Sequence, residues 1–460
     1  MSRLQTLREA IRGSRQDFTE GPIGRALFLL AVPMVLETVL ESLFAVVDIF
    51  FVAHLGADAI ATVGLTESMM SIIYAVAIGL GIGASAIVAR RIGEHDPERA
   101  ARAGAQAILL GVVVAAPIAV IGLTLAPQLL ALLGASPDVR RTGAGFTRVL
   151  LGGNAAVLLL FLINAVFRGA GDAAIAMRSL WLASAANMIL GPLFIFGVGP
   201  FPRLGVTGAA VGTTIGRSLG VLYQLTQLRR RDGRLVIRRA HLVPDPREMW
   251  RVLRLSAAGV FQVLIGSASW IALIRVLAVF GSTVLAGYTI AIRVIIFALL
   301  PSWGLSNAAA TMVGQNLGAK QPERAERAVW LAAFYNMWVL GAVGLAFMVL
   351  AGPIIRIFTV DAAIVPWAVS CLRIVSAGFV FFGTGMVVSN SFNGAGDTWT
   401  PTWLNLVCFW LWEVPLAGAL ARVPAFGPRG VFVAITIAFA TMAVASALIF
   451  RRGRWKSRTV

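Results

Sequence analysis

Long apolar runs constrain this chain more than any other feature of its sequence. Runs of more than about 18 apolar residues recur along nearly the whole length, for example at residues 26–53 and 332–352. A helix rising about 1.5 Å per residue needs only such a run to cross roughly 30 Å of hydrocarbon. The composition agrees, because 58% of the residues are hydrophobic and 13% are charged, whereas soluble domains carry about 25% charged residues. We therefore expect an all-α polytopic membrane protein.

The apolar runs predict twelve transmembrane helices. They lie at residues 25–53, 57–89, 102–125, 142–166, 174–197, 205–228, 248–279, 283–314, 328–350, 364–391, 400–421 and 428–450.

An internal repeat organises these spans. The motif FRGAGD at residues 167–172 returns as FNGAGD at residues 392–397, an offset of 225 residues. The same offset aligns PERAARA at 97–103 with PERAERA at 322–328. A constant offset of this kind indicates a duplicated unit, so we expect two pseudo-symmetric six-helix lobes. Because each unit has an even number of spans, the axis relating the lobes runs along the membrane normal.

The repeat and the polar stretches around it divide the chain into five parts. These are a cytoplasmic N-terminal tail at 1–24, an N-terminal lobe at 25–228, a basic cytoplasmic linker at 229–247, a C-terminal lobe at 248–450 and a basic cytoplasmic tail at 451–460.

The net charge of +18 is explained by membrane topology rather than by binding to a nucleic acid. With the N-terminus inside, the cytoplasmic stretches hold 28 Lys and Arg and the opposite stretches hold 6. This asymmetry is the positive-inside rule, so we expect a multi-pass plasma or inner membrane protein with both termini in the cytoplasm, in contact with anionic lipid. The tail has no apolar core typical of a cleaved signal peptide. Leu4, Leu7 and Ile11 share one helical face, which suits either a helix on the membrane surface or a solvated tail.

Several classes of function are excluded by what the chain lacks. Its two lysines, Lys320 and Lys456, do not follow the spacing of a phosphate-binding loop. The three histidines, His54, His95 and His241, are scattered and have no metal-ligand spacing. We therefore expect neither an ATPase nor another enzyme, and no cofactor, so that an ion gradient or the substrate's own gradient supplies the energy.

The repeated glycine motif is expected to be structural. It lacks the preceding strand and the longer glycine spacing of a phosphate-cradling loop. Glycine at a helix end favours a left-handed turn, and Asp172 or Asp397 then caps the helix that follows.

Three carboxylates lie within the first span. Glu37, Glu41 and Asp48 are separated by 4 and 7 residues, so they lie within about 40° of one another on one helix face. Burial and mutual repulsion favour their protonated forms, which suits proton binding. The alternative is that buried arginines or hydroxyl groups satisfy them structurally. Pro33, on the same helix, removes one backbone hydrogen bond and predicts a kink that is either static or part of the mechanism.

These features together resemble the multidrug and toxic compound extrusion (MATE) family over residues of about 20 to 450. The resemblance rests on twelve spans in two lobes, on VVDIFFVAHLG at the end of the first span, on VARRIG at the end of the second and on the repeated glycine motif. It implies a monomeric secondary antiporter that exports small organic, often cationic compounds in exchange for H⁺ or Na⁺. Asp48 looks like the family's first-span carboxylate, and Pro33 looks like the proline where that helix bends.

The sequence departs from the family pattern in the fifth span. The prokaryotic DinF-like branch, which the chain otherwise resembles, has Asn-x-x-x-Asp-Pro there, whereas this chain keeps Asn187 but has Gly191 in place of the Asp. The acids that the NorM-like branch carries in spans seven and ten are also missing. We therefore expect H⁺ coupling through Asp48, helped by Glu37 or Glu41 with Asn187 nearby, and Na⁺ is the alternative ion.

The C-terminal half has one deep acid, Glu413, which is expected to pair with one of the embedded arginines Arg275, Arg293 and Arg373. Two of these, Arg275 and Arg293, keep open a second function, a flippase for a lipid-linked saccharide. Aromatic, Met and amide side chains that accommodate flat cations are candidates for the substrate cavity. They are Met34, Phe261, Gln262, Trp270 and Tyr288.

Overall fold

The computed structural model describes residues 3–14, 16–230 and 233–459, except for the side chains at 3, 43–49 and 53. These residues form helices joined by short turns, and they contain no β-strand. The helices are α1 Arg3–Arg12, α2 Ile23–Ala53, α3 Ala57–Gly93, α4 Pro97–Leu132, α5 Pro137–Gly152, α6 Asn154–Ala170, α7 Ala173–Phe196, α8 Val206–Leu228, α9 Pro246–Ala278, α10 Ser282–Gly318, α11 Pro322–Phe358, α12 Val365–Ser376, α13 Phe379–Gly394, α14 Trp399–Asn405, α15 Val414–Arg422 and α16 Arg429–Arg451.

The membrane-spanning helices agree with the apolar runs. Among the described residues, ten helical segments are long and apolar enough to cross a membrane, and α12 with α13, bent by 53°, is an eleventh. The predicted span at 205–228 is α8, which is helical but is not among these segments. Its apolar run is interrupted by Arg217, Gln224 and Gln227, which lower its mean hydropathy. We refer to α2–α8 as the N-terminal lobe and to α9–α16 as the C-terminal lobe.

Helix starts follow local sequence rules. Four helices, α4, α5, α9 and α11, begin with proline in the first turn, where its missing N–H costs no hydrogen bond. Asp96, Ser136 and Asp245 precede three of them, and their side chains accept hydrogen bonds from backbone N–H groups of the first turn. The same pattern of Pro after a capping residue therefore recurs in both lobes.

The glycine motif forms a tight turn in both lobes, as predicted. Gly171 and Gly396 both have φ of +84°, a conformation that side chains rarely adopt. The predicted cap is not observed in the N-terminal lobe, because the Asp172 side chain makes no capping hydrogen bond to α7. In the C-terminal lobe the Asp397 carboxylate accepts from the Thr400 hydroxyl at 2.8 Å.

The two lobes meet through a pair of matching helix contacts. Gly79 of α3 packs against the backbone of Val260 on α9, and Gly304 of α10 packs against the backbone of Val35 on α2. Both pairs are related by the 225-residue offset, since Gly79 aligns with Gly304 and Val35 with Val260. Neither glycine has room for a Cβ atom. We call these two contacts the lobe interface.

The lobes separate beyond this interface. Ser68 and Ile72 precede Gly79 by 11 and 7 residues, so they lie on the same face of α3, and both are exposed. Arg293 and Phe297 occupy the corresponding positions on α10 and are also exposed. The lobes are therefore in contact towards one end of the bundle, and an open cleft lies between them towards the other.

The closed end carries the described parts of the N-terminal and C-terminal segments together with residues 229–230 and 233–245, and we call it the terminal face. The N-terminal segment contacts both lobes there. Arg178 of α7 donates to the Arg12 carbonyl at 3.0 Å, and Arg324 of α11 donates to the Glu20 carbonyl at 2.7 Å. The C-terminal segment does the same, because the Arg458 carbonyl accepts from Arg90 of α3 while Lys456 pairs with Glu326 of α11 at 2.6 Å.

Candidate functional site

Glu37 is the centre of a polar network buried in the N-terminal lobe. Its carboxylate accepts from Arg168 Nη1 at 2.7 Å and from Asn164 Nδ2 at 3.0 Å. Arg168 and Asn164 are one turn apart on α6, so both reach the same carboxylate. Only 8% of the Glu37 side chain is exposed, and a buried carboxylate of this kind is stable when it is both paired and hydrogen-bonded.

The network extends from α6 into α7 and α8. The Asn164 Oδ1 atom accepts from Ser179 Oγ at 2.8 Å and from Gln224 Nε2 at 2.6 Å. Gln224 also donates to the Leu160 carbonyl at 3.0 Å. Since Asn164, Ser179 and Gln224 are all buried, the network ties four helices together. The Gln224 Oε1 atom has no hydrogen-bond partner among the described residues.

A second polar group lies about one turn further along α2. Glu41 lines a small cavity together with Asn187 of α7 and Arg217 of α8, with room for about one water molecule. Glu41 has no hydrogen bond or ion pair within the described part of the chain. Asn187 donates to Thr213 Oγ1 at 3.0 Å, and its buried Oδ1 atom has no partner there. Glu41 therefore faces polar groups that do not neutralise it through direct contact.

Arg217 is held at this cavity by aromatic rings. Its Nη2 atom donates to the Tyr74 hydroxyl at 3.2 Å, and its guanidinium lies 5.6 Å from the ring of Phe161. Cation–π contacts of this type stabilise a guanidinium that is removed from water. Its Nη1 atom is buried and has no partner among the described residues.

The predicted ion-coupling residues are thus only partly brought together. Glu41 and Asn187 share the cavity, whereas Glu37 is paired with Arg168 in the adjacent network. Asp48 falls within 43–49, so its side chain lies outside the described residues. At Gly191 an added Cβ would lie 3.5 Å from Asn187 Oδ1, so the family's Asp would project near this cavity and is absent from it.

Pro33 lies inside α2, next to the lobe interface. It directly precedes Met34 and Val35, whose backbone contacts Gly304. A bend of α2 at this proline would therefore act where the helix contacts the other lobe.

Two of the five predicted cavity residues do not line a cavity in this structure. Met34 is 1% exposed within a core of α2, α10 and α11, and Tyr288 is 2% exposed and stacked on Phe432. Both side chains are apolar enough to fill the packed core between helices. Residue type alone does not distinguish a side chain that packs in the core from one that lines a substrate cavity. Phe261 is exposed, while Gln262 and Trp270 are half-buried on α9.

The predicted pairing of Glu413 is also not observed. Glu413 is buried at the end of a π-helical stretch, Leu406–Glu413, and forms no salt bridge within the described part of the chain. Arg275, Arg293 and Arg373 are instead exposed, and Arg373 donates to the Met348 carbonyl at 3.1 Å. Arginine side chains are long enough to extend to the protein surface. An arginine in the middle of a predicted span is therefore not necessarily buried.

Three charged residues near the site were not singled out by the sequence pattern: Arg168, Arg217 and Glu67. Arg168 lies at a helix end, and its side chain points back to Glu37. Arg217 is an isolated charge in the predicted span at 205–228, which is itself a signal of function. Glu67 is an exposed acid two turns from Tyr74 on α3, and the same signal applies to it.

Comparison with known proteins decides the family. The MatE family model matches residues 33–193 and 259–418, one region in each lobe. The chain belongs to the MatE family. Membership confirms the expected class, because MatE proteins are membrane transporters that need no cofactor and are not enzymes. Within the described residues no group of three or more His, Cys, Asp or Glu could hold a metal ion.

Curated relatives of this MatE chain are similar over nearly their whole length. It is 26% identical to the probable multidrug resistance protein YoeA of Bacillus subtilis, covering 92% of this chain and 93% of the relative. It is also 26% identical to the probable multidrug resistance protein NorM of Thermotoga maritima, covering 95% and 94% respectively.

A solved structure agrees with the fold. An outward-facing multidrug resistance MATE family transporter of the MOP superfamily matches with a TM-score of 0.88 at 26% identity. The match covers 100% of this chain and 99% of that structure.

Proposed function

We propose that this transporter is a secondary antiporter that exports small organic, cationic or amphipathic compounds in exchange for H⁺. The observation that carries the coupling proposal is the Glu41 cavity. An acid that faces a small polar cavity and has no salt bridge can gain and lose a proton without breaking an ion pair. Glu37, which accepts from both Arg168 and Asn164, serves in this proposal as a structural anchor.

Asp48 belongs to the same proposal. It lies two turns beyond Glu41 on α2, so protons would pass between Asp48 and Glu41 along one face of that helix. Asn187 and Arg217 then orient the groups around Glu41. Na⁺ would instead require several oxygen ligands, and Gly191 supplies none where the family has an Asp.

The structure corresponds to the outward-open state if the terminal face is cytoplasmic. The positive-inside count supports that orientation, because most Lys and Arg outside the spans belong to the termini, the linker and the loops on this face. Export then requires the lobe interface to open and the cleft to close. We propose that one chain suffices, and that bending of α2 at Pro33 couples protonation to this movement, since Pro33 adjoins the interface.

Transport in proteoliposomes tests the coupling. The purified protein should drive uptake of a fluorescent organic cation under a pH gradient without Na⁺, and Glu41→Gln should reduce the rate by at least about tenfold, because a proton-transfer group is lost. The matched control is Glu413→Gln, an acid removed from the other lobe, which should retain the wild-type rate. Uptake that needs a Na⁺ gradient and ignores the pH gradient would refute H⁺ coupling.

One observation favours the second candidate, a flippase for a lipid-linked saccharide. Arg293 is exposed on the face of α10 that borders the cleft, where a guanidinium suits a phosphate or pyrophosphate group. Cells lacking the gene separate the two functions. Increased susceptibility to cationic drugs supports the antiporter, whereas accumulation of lipid-linked precursors, reproduced by Arg293→Gln, supports the flippase.

A further inference from the structure

A basic pocket lies on the terminal face, away from the Glu41 cavity. It is a cavity of about 180 Å³ between the end of α1, the start of α7, the end of α8 and the linker. Four arginines line it together with a single described acid, Asp172. The arginines are Arg12, Arg178, Arg230 and Arg234. Arg231 and Asp232 lie outside the described residues.

The arginines are only partly satisfied by the protein. Arg178 donates to the Arg12 carbonyl at 3.0 Å, and Arg234 donates to the Ser14 carbonyl at 2.8 Å. These bonds use some of the five N–H donors of each guanidinium. The side chains of Arg12 and Arg230 have no hydrogen bond or ion pair within the described residues and are exposed at the pocket. The pocket therefore has some N–H donors that are bonded to the protein and others that are available to a ligand.

Arg234 carries a positive charge that is poorly compensated. Burial of its guanidinium lowers the pKa of Arg234 below its usual range, although Asp172 and Asp17 act in the opposite direction. The charged form would consequently gain from an additional anion at this position. A phosphate group matches the planar fork of a guanidinium and accepts several hydrogen bonds at once.

The neighbouring helix α1 indicates where such an anion comes from. Leu4, Leu7 and Ile11 are on one face of α1 and remain exposed, with Leu4 at 72%. Trp250, near the start of α9 on the same end of the bundle, is 66% exposed. Exposed Trp and the apolar face of a short basic helix both favour the headgroup region of a membrane. The end of α1, where Arg12 stands, is therefore at the level of the lipid phosphates.

We propose that this pocket binds the phosphate group of an anionic phospholipid in the leaflet at the terminal face, with the apolar face of α1 on the acyl-chain side. Arg12 and Arg230 contact the phosphate, and Arg178 and Arg234 hold the surrounding backbone. Free phosphate has similar acceptor oxygens but has no acyl chain to contact the apolar residues of α1. The site is separate from substrate and ion coupling.

Lipid retention by the full-length protein tests the proposal. The transporter is reconstituted in nanodiscs that contain phosphatidylcholine and phosphatidylglycerol, and bound lipids are counted by native mass spectrometry after release. The wild type should retain phosphatidylglycerol in preference to phosphatidylcholine. Arg12→Gln combined with Arg230→Gln should weaken this retention about tenfold or more, because two charge-assisted hydrogen-bond donors are lost. These side chains are exposed, so the variant should fold.

The matched control removes two other exposed arginines from the same face, Arg254→Gln with Arg327→Gln. It should retain phosphatidylglycerol within about twofold of the wild type, and Leu7→Glu on α1 should weaken retention. An equal loss in the control variant would show that general surface charge retains the lipid, and it would overturn the proposal. Displacement of the lipid by millimolar inorganic phosphate, or no preference in the wild type, would overturn it as well.

Discussion

The two lobes use matching residues where they contact each other, but the residues in their interiors differ. The lobe interface uses the same residue types twice, Gly79 with Val260 and Gly304 with Val35. The buried polar network occurs once, because the 225-residue offset places Gln262 opposite Glu37 and Asn393 opposite Arg168. The duplicated helices therefore preserve the contact between the lobes, while the N-terminal lobe alone carries the buried pair of Glu37 and Arg168.

The cavity residues show the same asymmetry more strongly. Gly266, Trp412 and Met442 occupy the positions that correspond to Glu41, Asn187 and Arg217. None of these three side chains can carry a charge. The asymmetry is consistent with the proposed mechanism, in which lobe movement uses two matching surfaces and ion binding uses one site.

The largest expected effect comes from breaking the polar network in the N-terminal lobe. Arg168→Ala leaves the Glu37 carboxylate buried without its cation, which should cost about 3–5 kcal/mol of stability. Thermal unfolding in detergent should show a large drop in the melting temperature. Replacing both partners, as Glu37→Gln with Arg168→Met, should recover most of it because no charge remains buried. A single variant as stable as the wild type would mean that Glu37 is not charged.

The second effect concerns the lobe interface and should be equal in both halves. Gly79→Ala and Gly304→Ala each place a Cβ against a backbone that has no space for it, and overpacking of this kind costs about 1–3 kcal/mol. Both should shift the protein away from the closed terminal face, as measured by distances between spin labels across the cleft. Gly64→Ala is the control, since nothing lies within 4 Å of its Cβ position. Unequal shifts for the two interface variants would break the symmetry argument.

A smaller effect is expected for the buried acid of the C-terminal lobe. Glu413 has no salt bridge among the described residues, so Glu413→Gln removes no ion pair and should change stability by less than about 1 kcal/mol. The melting temperature should stay near that of the wild type, or rise if burial of the charge is costly. A loss as large as that of Arg168→Ala would show that Glu413 has an essential partner.

The smallest effect contrasts two matching glutamates outside the membrane. Glu98 bonds to His241 at 2.6 Å, and that hydrogen bond, aided by the charges of His241 and Arg238, lowers the pKa of Glu98 below its ordinary 4.5. A lowered folded pKa contributes stability above the ordinary pKa, and the contribution is lost as the pH falls through the folded value.

Melting temperatures at pH 6 and pH 3.5 measure this contrast. Glu98→Gln should lower the melting temperature slightly at the higher pH, and the difference from the wild type should be smaller at the lower pH. Glu323→Gln, the counterpart at the 225-residue offset, has no such histidine bond and should be neutral at both. An equal effect of the two substitutions would assign the change to general surface charge.

Much of the architecture could be predicted from the sequence. Apolar length and the repeat located the helices, including the breaks at the ends of α6 and α13, because hydrocarbon requires continuous backbone hydrogen bonding. Some ends differ by several residues, as at 328–350, where α11 runs from Pro322 to Phe358. The one span that hydropathy alone does not identify, α8, is the helix that carries Arg217 and Gln224. Its polar residues face the lobe interior, so the features that lowered its apolar signal are those that build the site.

The candidate site was less predictable. The acidic face of α2 was visible, yet only its surroundings distinguish a carboxylate paired with Arg168 from one that faces a cavity. The expected pairing of Glu413 failed because its possible partners extend to the surface. Met34 and Tyr288 are buried in packed cores, and the sequence does not separate packing from ligand binding because both use the same apolar side chains.

The sequence by itself determined that this is a duplicated, helical membrane protein, because helix length and repeat spacing are properties of consecutive residues. Tertiary structure alone decided which acid is paired. Glu37 and Glu41 are one turn apart and chemically identical, but neighbouring helices bring Arg168 to the first and a small cavity to the second. The energy of a buried charge depends on what lies within a few ångströms of it, and those groups come from helices more than a hundred residues away.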